Sequence, residues 1–63
     1  PYSVKLSASE IKNLIDNPAD LMNALKKKVV FSEESLRELQ RQAIGRGLPA
    51  EVQDAIQLAI DHA

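Results

Sequence analysis

The chain has no cysteine and no tryptophan, and only one histidine, one tyrosine and one phenylalanine. Without cysteine, neither disulfides nor thiolate-bound metal can steady the fold. A single histidine, His62, excludes a multi-histidine metal site within one chain. No metal and no cofactor is expected. With Tyr2 and Phe31 as the only aromatics, the core must be built from Leu, Ile, Val, Ala and Met. A large aromatic binding surface is equally unexpected. No run of about 18 apolar residues is present, so no membrane span is expected. There is no basic n-region followed by an apolar h-region, so no signal peptide is visible. The lack of cysteine fits a cytoplasmic or other intracellular compartment. The chain opens on Pro1 rather than Met, which suggests processing or excision from something longer.

Charge of one sign is also lacking. Eight Lys and Arg stand against nine Asp and Glu, a formal net charge of -1. Long-range attraction to nucleic acid or to an anionic membrane is therefore weak unless one face is polarised.

What remains is 63 residues, 44% of them hydrophobic. That content suits a folded domain and is too high for a disordered tail. The length fits one domain, and a domain so small is marginal alone. Helix packing, a second copy or a partner must supply its stability.

Pro1 to Leu6 alternates briefly, with Tyr2, Val4 and Leu6 set against Ser3 and Lys5. One short strand cannot stand by itself, so this reads as an extended arm lying against helices. Pairing of the arm with another copy or a partner's strand edge is the alternative. Ser7 and Glu10 have capping-box spacing, with Leu6 and Ile11 placed as a staple. They predict a first helix over 8–16 with Ile11, Leu14 and Ile15 on its apolar side. Asn17-Pro18 breaks it and starts a second helix over 18–28, with Asn17 as cap. Leu21, Met22 and Leu25 form its stripe, and Lys26, Lys27 and Lys28 suit its negative end.

Val29-Val30-Phe31 reads as a buried connector, with Phe31 at the centre of the core. Ser32 caps a third helix over 33–44, with Glu33 and Glu34 at its positive end. Leu36, Leu39, Ala43 and Ile44 form its buried face. Gly45 or Gly47 supplies the left-handed residue that ends it. Pro49 opens the first turn of a fourth helix over 49–61. Val52, Ala55, Ile56, Ala59 and Ile60 recur at helical spacing, and Leu58 lies off that stripe.

The predicted architecture is all-α: a compact bundle of four short helices with an extended N-terminal arm, in one domain spanning 1–63. Merging of the first two helices around a Pro18 kink, leaving three, is the alternative. The predicted core is Leu6, Ile11, Leu14, Ile15, Leu21, Leu25, Val30, Phe31, Leu36, Leu39, Ala43, Ile44, Leu48, Val52, Ile56, Ala59 and Ile60.

No pattern of catalytic residues stands out, so an enzyme is not expected. Glu34 and Glu38 share a helix face, but no histidine lies near them in sequence and so small a core offers no deep cavity. His62 can interact with the last helical carbonyls or move in solvent. The serines read as arm, cap and first-turn residues. Gly45-Arg46-Gly47 lacks the pattern of a phosphate loop.

Noncovalent protein–protein interaction, as a regulatory or adaptor module, is the favoured functional class. Met22, Val29, Leu58 and the Tyr2/Val4 pair are spare apolar contacts. Arg37, Arg41, Arg46 and Leu58 are the candidate partner-binding residues. A homodimer is an option, because symmetric pairing would enlarge a small core. The alternative is a nucleic-acid-binding domain using Lys26, Lys27, Lys28, Arg37, Arg41 and Arg46, with Gln53 able to read adenine. A helix-turn-helix reader would put Glu33 and Glu34 against phosphate, which disfavours that reading. A membrane-surface helix is disfavoured too, since Glu51, Asp54 and Asp61 give the fourth helix the wrong charge for anionic lipid.

Overall fold

The computed structural model describes residues 3–27 and 30–62. Predictions that fall on Pro1, Tyr2, Lys28, Val29 and Ala63 lie outside the described residues. Four helices follow the arm: α1 (Ala8–Asp16), α2 (Pro18–Lys26), α3 (Glu33–Arg46) and α4 (Ala50–Asp61). They close a ring in which α1 touches α2 and α3, and α4 touches α3 and α2. The protein is thus an all-α bundle of four short helices with an N-terminal arm.

Local signals account for most boundaries. The Ser7 hydroxyl accepts from the Glu10 amide at 3.2 Å, and the Glu10 carboxylate accepts from the Ser7 amide at 2.9 Å. This reciprocal box satisfies two otherwise orphaned donors at the start of α1. Its hydrogen bonds hold the Glu10 carboxyl below its ordinary value, the Ser7 amide contributing most. Ser32 likewise accepts from the Ser35 amide at 3.2 Å and starts α3.

Four boundary details differ from expectation. Asn17 makes no side-chain cap on α2. Its side-chain amide instead donates back to the Asn13 carbonyl at 2.9 Å, closing the end of α1. The α2 helix ends at Lys26, because Lys27 is already extended at φ -74 and ψ 161. The α3 helix runs through Gly45, and Gly47 takes the left-handed conformation at φ 63. Gly47 N–H then donates to Ile44 and Leu48 N–H to Ala43, both at 3.1 Å. That pair of bonds is a Schellman closure. Pro49, with an extended ψ of 152, precedes α4 rather than forming its first turn.

The arm finds its partner inside the chain. The Val4 amide donates to the Val30 carbonyl at 2.8 Å, and the Ser32 amide donates to the Val4 carbonyl at 2.9 Å. Val4 and Phe31 so form an isolated parallel bridge. The two bonds pin the residues before α1 to those before α3.

The core is Leu6, Ile11, Ile15, Leu21, Leu36, Leu39, Ala43, Val52, Ile56 and Ile60, with Ile15, Leu21, Leu39 and Ile56 at its centre. Leu14, Leu25, Leu48 and Ala59 pack on it partly buried. Phe31 is also only half-buried, so it is not the centre. It lies in the bridged segment at the edge of the bundle. Val30 is 49% exposed, because adjacent residues of an extended segment point to opposite sides. Ile44 is 64% exposed rather than buried. The buried arc of α3 runs through Ser35, Leu36, Leu39 and Ala43. Ile44 lies about 100° beyond Ala43, on the far side from Ser35.

Ser35 is the one buried polar residue among those described. Its hydroxyl accepts from the Leu6 amide at 2.9 Å and from the Ser32 hydroxyl at 2.9 Å. No buried side-chain polar atom among the described residues is left unpaired. Ser35 therefore ties the arm to α3 from inside the bundle.

Candidate functional site

The arginines do not gather on one face. Arg46 lies nine positions beyond Arg37, about 180° round α3. On one side, Arg46 forms an ion pair with Asp16 at the end of α1. Lys12 also reaches Asp16, at 3.2 Å. The two cations hold the Asp16 carboxyl below its ordinary value, Arg46 chiefly. They also offset the unfavourable position of an acid at a helix C-terminus. On the other side, Arg37 pairs with Glu33 at 3.0 Å. Arg41 forks onto Glu38, which also accepts from Gln42 at 3.0 Å. The Glu38 carboxyl is held down to about 2, by the Arg41 bond first and Gln42 second, and Arg41 is raised in turn.

Each candidate arginine thus already has a carboxylate within the chain. These pairs are solvent-exposed, and such pairs are worth little to stability. They do consume the charge that a partner would otherwise meet. Lys26 and Lys27 stand at the end of α2 with no ion-pair partner among the described residues. Gln53 is half-buried on α4. The structure therefore does not bring Gln53, the Lys26–Lys27 pair and the three arginines into one surface.

Leu58 is different. It is 59% exposed and lies on the rim of an open groove of about 360 Å³ between α2 and α4. The α2 wall is Met22, Leu25 and Lys26. The α4 wall is Ala55, Leu58, Ala59 and His62. The helix phase of α4 explains this placement. Val52, Ile56 and Ile60 face the core, and Gln57 bonds to Gln40 of α3 at 2.6 Å. One position after Gln57, Leu58 sits about 100° further round, away from α3. Ala55 and Ala59 have side chains too short to fill the space between the helices. The result is an apolar depression with one protruding leucine beside it.

Of these residues, sequence alone singles out only Leu58 for partner binding. Met22 is legible as a spare apolar position, and Lys26 as part of a basic cluster. Ala55, Ala59 and His62 do not group with them on sequence grounds. The spacing of Ala55 and Ala59 four residues apart, with Leu58 between, is the available signal.

A second crevice of about 250 Å³ lies where the arm crosses α1 and α3, bordered by Lys5, Ala8, Glu34 and Glu38. Ser35, at its base, has its hydroxyl committed to Leu6 and Ser32. Lys5 and Glu34 span its mouth at 3.5 Å. Among the described residues, no three His, Cys, Asp or Glu side chains converge as metal ligands. No helix among them is long and apolar enough to cross a membrane. No family model, no curated protein and no solved structure matches this chain.

Proposed function

We propose that this domain is a noncovalent interaction module, and that the α2/α4 groove is its docking surface. The observation that carries the reading is the placement of Leu58. An aliphatic side chain left 59% exposed stands beside an unfilled apolar groove rather than alone on a polar surface. Scattered exposed leucines need no explanation, but an apolar patch rimmed by polar groups marks an interaction site. Leu58 is the anchor, while Met22, Leu25 and the two alanines shape the floor and walls. Lys26 and His62 lie at the edge, where charge sets orientation more than affinity. Arg37, Arg41 and Arg46 contribute less than Leu58, since each must first give up its own carboxylate.

The test is affinity capture from native lysate with the wild type and Leu58→Lys, each with and without nuclease. A discrete protein retained by the wild type despite nuclease, and lost with Leu58→Lys at unchanged helicity, supports the groove. Retention of nucleic acid that falls with rising salt, with protein recovery abolished by nuclease, overturns this reading. It would favour the lysine and arginine positions instead. Equal retention by both proteins would move the docking surface away from Leu58.

A further inference from the structure

We propose that the occupant of the α2/α4 groove is an amphipathic helix of another protein, acidic in its first turn and antiparallel to α2 and α4. This rests on reading the groove as a docking surface, and adds the chemistry and direction of the partner.

The connections of the bundle put both polar side chains of the lining at one end. The Leu6–Ser35 bond joins the start of α1 to the start of α3, and the Arg46–Asp16 pair joins their ends. So α1 and α3 run the same way. The α2 helix leaves from the end of α1, and α4 from the end of α3. Only 27–31 separate the end of α2 from Ser32, the cap of α3, so α2 returns to where α3 starts. The α4 helix returns beside it, with Gln57 bonded to Gln40, back from the end of α3. Lys26 and His62, at the two helix ends, therefore stand together at one end of the groove.

That end is basic and uncompensated. The lining holds Lys26 and His62 and no carboxylate. Lys27 follows, and neither lysine has an ion-pair partner among the described residues. The His62 ring offers an N–H in either protonation state. Acids of the two helices lie elsewhere. Asp20 is about 160° round α2 from Met22. Asp54 and Asp61 lie beyond Leu58, on the side of α4 turned from α2. Glu51 shares the phase of Leu58 but sits about 10 Å nearer the start of α4, past the other end of the lining. A docking segment so meets apolar surface along the groove and needs a carboxylate at the Lys26 end. The net charge of -1 gives no overall attraction to acids, so this preference is local.

The walls decide the shape of that segment. Both are helices with internal main-chain bonds, and they offer no strand edge. An extended segment would leave its amides and carbonyls unpaired over Met22, Leu25 and the alanines. A helix brings its main-chain bonds with it, and Ala55 and Ala59 let it approach closely. From Ala55 to His62 the floor rises about 10 Å, which is two turns of an incoming helix. Two apolar side chains one turn apart therefore fill it beside Leu58. The ends of α2 and α4 carry partial negative charge, which favours the positive N-terminus of the incoming helix there. Acids are favoured in that same first turn. The antiparallel direction thus satisfies the lysines and the helix ends together.

The test is selection from a displayed library of alanine-based helical peptides of about 15 residues, randomised among apolar, acidic and basic side chains. The baits are the wild type, Leu58→Gln, and the double variant Lys26→Glu with Lys27→Glu, with helicity checked by circular dichroism. The wild type is expected to enrich peptides with apolar residues one turn apart and Asp or Glu in the turn before them. Changing those acids to Gln should weaken binding about tenfold. Leu58→Gln, which adds no charge, should abolish the enrichment at unchanged helicity. The double variant should enrich Lys or Arg in place of the acids. Peptides that need Leu58 but carry no acid, or carry it in the turn after the apolar pair, overturn the proposal and leave the groove as docking surface. Peptides indifferent to Leu58→Gln overturn the groove reading itself. No enrichment overturns the proposal too, as does a wild type that sediments as a dimer and loses it with Leu58→Gln.

Discussion

Replacing Ser35 with alanine should loosen the arm and destabilise the whole domain, although one hydroxyl is all that is lost. In the native chain the Ser35 hydroxyl, in a residue only 4% exposed, accepts the Leu6 amide across 29 residues of sequence. Leu6 is itself 8% exposed, and both it and Ser35 line the crevice under the arm, so water entering there replaces the lost acceptor only in part. An unpaired buried donor costs about 1–3 kcal/mol. Alanine returns about 0.5 kcal/mol as a better helix former. The net loss is about 1.5 kcal/mol. At about 2.1 cal/mol/K of unfolding entropy per residue, a chain this short loses about 11 °C in Tm. Ser32→Ala is the control. It removes a cap worth about 1 kcal/mol but leaves the Leu6 bond in place. Chemical denaturation gives the stability of both variants, and amide exchange reads the bond itself. With Ser35→Ala, exchange at Leu6 should quicken beyond that of core amides such as Ile56. A loss under about 0.5 kcal/mol, with Leu6 exchanging in step with the core, would refute the reasoning.

The end of α3 and its carboxylates give two more expected outcomes. Gly45 lies within the helix and a methyl added there meets nothing within 4 Å, whereas Gly47 is left-handed at φ 63. Gly45→Ala should therefore stabilise the domain by about 1 kcal/mol, and Gly47→Ala should destabilise it by about as much, as read by thermal melting. The Glu38 carboxyl is held from its ordinary 4.5 down to about 2. Its folded value is depressed, so its contribution is full above about pH 4.5 and is lost as pH falls toward 2. Asp16 and Glu10 act in the same direction. These groups are exposed, so the effect is small and shrinks with salt. Carboxyl NMR titration should show Glu38 titrating nearer its ordinary value in Arg41→Gln than in the wild type.

Most of the fold is legible in the sequence because its start signals are chemical and local. Ser7-Glu10, Asn17-Pro18 and Ser32 each name a helix start within a few residues, and the apolar spacing names the face. The misses are tertiary. Ser35 looks like a first-turn serine, because nothing within α3 reveals that the Leu6 amide needs an acceptor. The arm lacks a visible partner because its partner is the segment around Phe31, distant in sequence. Size alone argues for Phe31 at the core centre, yet its segment is spent on pairing with Val4. Two glycines two residues apart leave the end of α3 ambiguous, and only the backbone conformation distinguishes Gly47 from Gly45.

The site is half legible for related reasons. Leu58 stands out by helix phase alone. Its companions do not, because Met22 and Leu25 meet it only once α2 and α4 are side by side. The arginines suggest a basic surface because they are close in sequence. Arg46 falls beyond the predicted end of α3, so its phase relative to Arg37 cannot be read there. Once the helix extends to Arg46, the two point to opposite sides.

The most direct test of the interaction surface is a set of methyl NMR spectra of the protein before and after addition of the protein it captures. If the groove is the docking surface, the methyls of Leu58, Met22, Leu25, Ala55 and Ala59 shift together on that addition. Those of Ile44 and Val30, also exposed but elsewhere, stay fixed. Shifts centred on Ile44 or Val30, or no shift anywhere, would contradict it.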